Sequence, residues 1–164
     1  YPAINWLNSY SNYPEYISNW WNNNDINWSE MDIDWYECRK QVNEILSKEN
    51  DLKYITQLLG VKNLPEDQRL ILFIAKIIKN GFLNQSAFDN IDNYTDFKKL
   101  MAFIKIILLL YKEGKDFIEQ GFIIEEKIDE EIVNDILRIG YSVPNENIDQ
   151  IEKLKNKLLN RTNL

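Results

Sequence analysis

Two acidic runs are the residues of this chain best suited to hold a metal ion. They are Glu125-Glu126 and Asp129-Glu130-Glu131, and clustered carboxylates can bind a divalent cation. Carboxylates at the start of a helix also interact favourably with the positive end of the helix dipole. An apolar pattern with helical spacing follows directly, so we favour a solvated helix start and predict no metal site.

The single cysteine and the missing histidines narrow the chemistry further. Cys38 lies on an apolar helix face with no base to activate it, which predicts a buried structural thiol. One cysteine permits no intrachain disulfide and fits a reduced, cytosolic setting. The absence of histidine excludes His-based triads, His metal sites and His proton shuttles. On chemistry alone the sequence predicts no catalytic residue and a helical interaction domain.

Composition excludes two further classes of partner. The net charge of −7 disfavours nucleic acid, because phosphates would be repelled. The longest apolar run, Leu100 to Tyr111, is about half the ~20 residues that a membrane span needs, and Lys105 interrupts it. We therefore expect a soluble chain that does not insert into a membrane.

From Asp32 onward the apolar residues recur with helical spacing, which predicts an all-α bundle of about six helices. The fourth is apolar on so many sides that it must be central and nearly encircled. The predicted helices span about 32–47, 51–59, 65–80, 95–111, 129–139 and 144–160. The predicted inward residues of the first two are Trp35, Cys38, Val42, Ile45, Leu46, Leu52, Ile55, Leu58 and Leu59.

Glycines and one proline mark the predicted helix ends. Pro65 suits the first position of the third helix, because its missing N–H would have no partner there. Gly60, Gly81 and Gly140 are predicted stops, with a left-handed conformation at Gly81. Gly114 and Gly121 are expected to loosen the stretch after the fourth helix.

Residues 1–30 differ from the rest of the chain. They are rich in Trp, Tyr and Asn, and Pro2 and Pro14 break any long helix. We predict an irregular aromatic segment that packs against a neighbouring surface. Because Tyr1 is not a methionine, we also expect the sequence to be an excised part of a longer protein.

Two long segments resemble the catalytic A (alpha) subunit of V-type and archaeal-type ATP synthases. They are YPAINWLNSYS at the N-terminus and LPEDQRLILFIAKIIKNGFLNQSAF after Gly60. The order and spacing of Trp35-Tyr36, Gly60-Val61 and the acidic-Tyr loop from Asp92 to Tyr94 are also similar to the family. The resemblance covers essentially the whole chain.

The resemblance implies a function that belongs to a longer parent subunit. Residues 1–30 would be the tail end of its nucleotide-binding domain and residues 31–164 its C-terminal helical domain. The parent would bind ATP or ADP with Mg²⁺, and would couple hydrolysis or synthesis to rotation of a central stalk and to H⁺ or Na⁺ transport. The phosphate-binding loop would lie upstream of Tyr1, so the chain alone is expected to be an inactive monomer without a cofactor.

The same resemblance implies partners, a location and two sites. The partners would be the B subunits of the hexameric head and the central rotor stalk, in the cytoplasm at the membrane periphery. The adenine pocket would use Tyr1, Gln85, Ala87 and Phe88, since a flat apolar base needs aromatic faces. The contact with the central stalk would use Leu64, Pro65, Glu66 and Asp67, whose carboxylates can attract basic residues on a rotating partner.

A second interpretation stays open on the sequence alone. A free-standing helical adaptor with no ATPase parent would show the same composition and the same amphipathic helices. A GxxxxGK[ST] loop encoded upstream would favour the ATPase interpretation.

Overall fold

The computed structural model describes residues 13, 14, 16, 35–83, 95–124, 128, 130–144, 147 and 149–162. Within them the backbone forms α-helices, one 3₁₀ turn and one π-helical segment, and no strand, which confirms the all-α class. Among the described residues, five α-helices have both ends defined: α1 (Trp35–Leu59), α2 (Glu66–Ile77), α3 (Phe97–Glu119), α4 (Glu130–Ser142) and α5 (Asp149–Thr162). Apart from residues 13, 14 and 16, the predicted irregular segment 1–30 lies outside the described residues.

Helix α3 is the centre of the bundle. Every residue from Met101 to Leu110 is buried, and α3 packs against all four other helices. The prediction of an encircled helix is therefore confirmed, although α3 continues past Tyr111 to Glu119. Lys99 and Lys105 are also buried, so the buried surface of the central helix includes two lysine side chains.

Helix α1 corrects the predicted boundary between the first two helices. The chain runs as one helix through Asn50 and Asp51, because neither residue has the strong helix-breaking effect of glycine or proline. Cys38 is buried as predicted, together with Val42, Ile45, Leu46 and Leu52. The predicted burial of Ile55, Leu58 and Leu59 is wrong, since all three are exposed. The last two turns of α1 present these side chains to solvent instead of to the core.

Three glycines lie inside helical segments, contrary to the predicted stops at Gly81 and Gly140 and to the predicted loosening at Gly114. Gly81 has no positive φ and lies in a π-helical segment, Ile78–Leu83, that continues α2. A Cβ there would lie 3.1 Å from Cζ of Phe103 and 3.3 Å from Cδ2 of Leu137, so glycine permits close packing rather than a turn. Gly114 and Gly140 lie within α3 and α4, which continue past them. Gly60 and Gly121 do have positive φ and follow helix ends.

The acidic run before α4 mostly lies outside the described residues. The helix begins at Glu130, as expected for a run of carboxylates at a helix start. Glu131 accepts a hydrogen bond of 2.9 Å from Nζ of Lys157 on α5. Over the stretches the structure describes, no three acidic or cysteine side chains lie close enough to hold a metal ion. Nor does any helix in those stretches combine the length and apolar character of a membrane span.

Candidate functional site

The predicted stalk-contact residues, Leu64–Asp67, lie in the turn that joins α1 to α2, and we call this turn the tip (Gly60–Asp67). Gly60 leaves α1 with φ of 78°, and its N–H donates to the carbonyl of Thr56 at 2.9 Å. A 3₁₀ turn, Val61–Asn63, follows. The side-chain amide of Asn63 donates to the carbonyl of Leu59 at 2.7 Å. These bonds satisfy backbone groups at the end of α1 and fix the course of the tip.

Leu64 and Pro65 have different roles in the tip. The Leu64 side chain is buried, so it anchors the turn and is not available to a partner. Pro65 is exposed and precedes α2, which begins at Glu66, one position later than predicted. The Pro65 carbonyl accepts hydrogen bonds from the N–H groups of Gln68 and Arg69. Proline therefore fixes the entry to the helix as its N-cap residue.

The two carboxylates of the tip face different surroundings. Glu66 accepts hydrogen bonds from the Arg69 guanidinium and from the backbone N–H of Ile124, the latter at 3.2 Å. It thus ties the start of α2 to the chain that follows α3. Asp67 is exposed and makes no hydrogen bond or ion pair within the described part of the chain. Asp67 is the tip carboxylate that remains open to a partner.

The residues predicted for the adenine pocket cannot be placed relative to α2. Tyr1, Gln85, Ala87 and Phe88 all lie outside the described residues. The described chain reaches Leu83, the last residue of the π-helical segment. This segment is held by an ion pair of 2.7 Å between Lys79 and Glu49 of α1.

A mostly apolar cavity of about 380 Å³ lies beside that segment. It is bounded by α1, the π-helical segment and the start of α3, and its lining includes Trp35, Phe82, Leu83 and Phe97. Phe82 packs edge-on against Phe103, with ring centroids 5.8 Å apart. Leu83 is the last described residue before the stretch 84–94, and Phe97 lies shortly after that stretch in the sequence.

The sequence did not predict that the chain after α3 contacts the tip. Gly121, with φ of 86°, ends the helix, and Phe122 and Ile123 are exposed next to the buried Ile124. The only hint in the sequence that this stretch packs against the bundle is the run of three apolar residues after Gly121. That signal does not reveal the contact with Glu66, because the hydrogen bond that makes it spans 58 positions.

Comparison with known proteins gives the family. The family model for the C-terminal domain of V and A type ATP synthase matches residues 24–128 of this chain. The chain belongs to that family. The match includes the whole tip and all of α1 to α3, and it favours the ATPase interpretation over an unrelated adaptor.

Individual relatives extend the similarity beyond the family model. The chain is 38% identical, over 97% of its length, to the A subunit of the A-type ATP synthase of Hyperthermus butylicus. It is also 38% identical to V-type ATP synthase alpha chain 2 of Clostridium tetani over 96% of its length. In each case the match covers 26% of the relative, so the chain spans about a quarter of the curated relatives it matches.

Proposed function

We propose that this chain is the C-terminal helical part of the catalytic subunit of a rotary V/A-type ATP synthase. Residues 1–30 would end the nucleotide-binding domain, and residues 31–164 would form the helical domain. The observation that carries the proposal is the match of 97% of the chain to the A subunit of an A-type ATP synthase. In the assembled enzyme this chain's parent would alternate with B subunits around the central stalk, at the cytoplasmic periphery of the membrane.

The nucleotide end of the domain would be the turn after the π-helical segment. Tyr1, Ala87 and Phe88 would hold the adenine ring, with Gln85 in support, while the phosphates and Mg²⁺ would be bound elsewhere in the parent subunit. The apolar cavity beside Phe82, Leu83 and Phe97 supports this assignment. It is lined by aromatic and aliphatic side chains, of the kind that suit a flat base.

The stalk end would be the tip. Helix α2 and its π-helical continuation form one helical segment from the tip to Leu83, the last described residue before the proposed adenine turn. A displacement of one end therefore moves the other, because the helical backbone between them is stiff. Nucleotide occupancy would in this way be linked to the angle of the stalk and to H⁺ or Na⁺ transport.

Site-directed cross-linking in the assembled parent complex tests the stalk contact. We would introduce Asp67→Cys into the full-length parent chain and label it with a maleimide photo-cross-linker. The control is Tyr36→Cys, which is also exposed but lies at the other end of α1, roughly 33 Å from Leu58 at 1.5 Å per residue. We expect the central stalk to cross-link to the Asp67→Cys variant but not to the Tyr36→Cys variant. A complex in which Asp67→Cys never reaches the stalk would overturn the proposal.

A further inference from the structure

A second cavity, of about 760 Å³, is lined chiefly by α2 and α4, and the proposed function does not use it. Helix α2 contributes Leu72, Phe73 and Ile77 to the lining, and α4 contributes Val133 and Leu137. The volume lies within the range of about 300–1,000 Å³ that is typical of sites for small molecules. We call it the α2–α4 cavity.

The least exposed side chains of the α2–α4 cavity are apolar. Ile77 is 1% exposed and Ile124 is 6% exposed, yet both line the cavity. Phe73 and Leu137 are half-buried and pack against the core. A broad protein surface would not reach side chains as buried as Ile77 and Ile124, whereas a slender alkyl chain would. The recessed lining therefore favours a small apolar occupant over a second copy of the chain.

The exposed side chains of the lining include two hydrogen-bond donors, Lys76 of α2 and Asn134 of α4. Arg69, the other charged residue in the described part of the lining, is paired with Glu66. The Lys76 side chain makes no ion pair or hydrogen bond within the described residues. Lys76 is thus a cation open to a ligand, at the edge of an apolar cavity.

We propose that the α2–α4 cavity binds a free amphipathic anion with one alkyl chain, such as a medium-chain carboxylate. The alkyl chain would lie against Phe73 and Leu137, and the carboxylate would accept hydrogen bonds from Lys76 and Asn134. Burial of methylene groups would supply most of the affinity, and the charged hydrogen bond would orient the ligand. This site is independent of the proposed function.

The charge of the chain favours a free ligand over a lipid held in a membrane. The net charge of −7 repels an anionic membrane surface as a whole. A free carboxylate is small enough to reach Lys76 without bringing a charged surface close to the rest of the molecule. We therefore expect the free anion to bind and vesicles of anionic lipid not to bind.

Calorimetric titration of the full 164-residue chain with sodium decanoate at neutral pH tests the proposal. We expect saturation at one decanoate per chain. Decanol has the same alkyl chain without the charge, and it should bind about tenfold more weakly. Butyrate is six methylene groups shorter and should bind at least about a hundredfold more weakly.

Two pairs of variants connect the binding to the cavity. Lys76→Gln should weaken decanoate about tenfold and leave decanol unchanged, whereas Lys48→Gln, on α1 outside the cavity, should change neither. Asn134→Trp should block both ligands by filling the entrance, whereas Asn156→Trp on α5 should block neither. All four positions are exposed, so thermal unfolding of the variants should match the wild type.

Four results would overturn the inference. No heat of binding from decanoate would remove the site, and binding that Lys76→Gln leaves unchanged would be non-specific. Sedimentation of the chain with phosphatidylglycerol vesicles, but not with phosphatidylcholine vesicles, and its loss in Lys76→Gln, would assign the cavity to a membrane lipid. Labelling of Asn134→Cys by a maleimide in the isolated chain, but not in the assembled parent complex, would assign it to a neighbouring subunit.

Discussion

Glu66 and Asp67 are neighbours in the sequence, but their carboxylates serve different purposes. The Glu66 carboxylate accepts hydrogen bonds from Arg69 and from the N–H of Ile124, and Asp67 is exposed. A charged acceptor that satisfies a backbone N–H stabilises the fold, whereas an exposed acid at a helix start adds only its interaction with the dipole. The sequence shows two equivalent acids, and the structure distinguishes them.

The contributions of Glu66 and Asp67 to stability can be compared by mutating each residue. Glu66→Ala should lower the free energy of unfolding by about 1–3 kcal/mol, because hydrogen bonds to a charged group are lost and the Ile124 N–H loses its acceptor. Asp67→Ala should change it by about 0.5 kcal/mol or less. Urea denaturation followed by circular dichroism measures both. Equal effects would show that Glu66 does not hold the chain after α3 in solution.

The close contact between α2 and α3 is a feature at the scale of single elements. Gly114 lies in the interior of α3, where a Cβ would come within 2.6 Å of Cδ1 of Leu70. Leu70 is 1% exposed, so it has little room to move away. A glycine that costs α3 some helix propensity therefore allows the two helices to approach.

Gly114→Ala should accordingly destabilise the chain by about 1–2 kcal/mol, since the overpacking outweighs the gain in helix propensity. The double variant Gly114→Ala with Leu70→Ala tests the cause. If the clash is with Leu70, the two effects will be strongly non-additive, because the shortened side chain makes room for the new methyl group. Additive effects in thermal unfolding would place the strain elsewhere.

The two halves of α1 differ in what their apolar residues do. Leu46 is 2% exposed and Leu58 is 66% exposed. Leu46→Ala should cost about 2–5 kcal/mol of folding free energy, because it leaves a cavity in the core. Leu58→Ala should cost about 0.5 kcal/mol or less. A large loss of stability for Leu58→Ala in chemical denaturation would mean that the end of α1 is buried after all.

The sequence predicted the burial of α3 correctly, but its predictions for the end of α1 and for Gly81 were wrong. The burial of α3 follows from apolar residues on nearly all its faces, which only a central position can accommodate. The exposure of Leu58 and Leu59 is not predictable, because an amphipathic pattern does not reveal whether a neighbour covers it. The prediction for Gly81 is wrong because a glycine required for close packing looks the same in the sequence as one required for positive φ.

The candidate site was predictable to a similar extent. The tip follows from Pro65 and its adjoining acids, which are typical of a helix start. The difference in role between Glu66 and Asp67 depends on the contact of Glu66 with Ile124. No local sequence pattern connects positions so far apart in the chain. The exposed apolar residues at the end of α1, among them Leu58 and Leu59, cannot be told from core residues by their type. Their common exposure becomes visible only when the course of the chain after α1 and α3 is known.

At the scale of the whole molecule, the described chain is one helical bundle, and the proposed function assigns a role to each end of α2. A single core joins residues from all five helices, so a force applied at the tip is carried through close-packed side chains. The proposed coupling needs this rigidity. It would also need the rest of the parent subunit, which we propose supplies the phosphate-binding groups.

The chain alone should therefore bind nucleotide very weakly. The 164 residues contain no GxxxxGK[ST] motif, and adenine contacts without phosphate contacts give little affinity. Titration calorimetry with Mg²⁺-ATP should show no binding at micromolar concentrations. A micromolar dissociation constant would mean that the chain holds phosphate groups by itself, contrary to the proposed division of the parent.

The most direct test of the coupling proposal is the torque on the stalk in single parent complexes. The complex would carry Leu58→Ser, Leu59→Ser and Asp67→Asn in every copy of this chain, and a complex with Tyr36→Ser would serve as the control. We predict that the triple variant hydrolyses ATP while its torque falls clearly below that of the control, because Asp67, which is proposed to contact the stalk, and the exposed leucines next to the tip are replaced. Full torque from the triple variant would contradict the claim that this end of the helical domain drives the stalk.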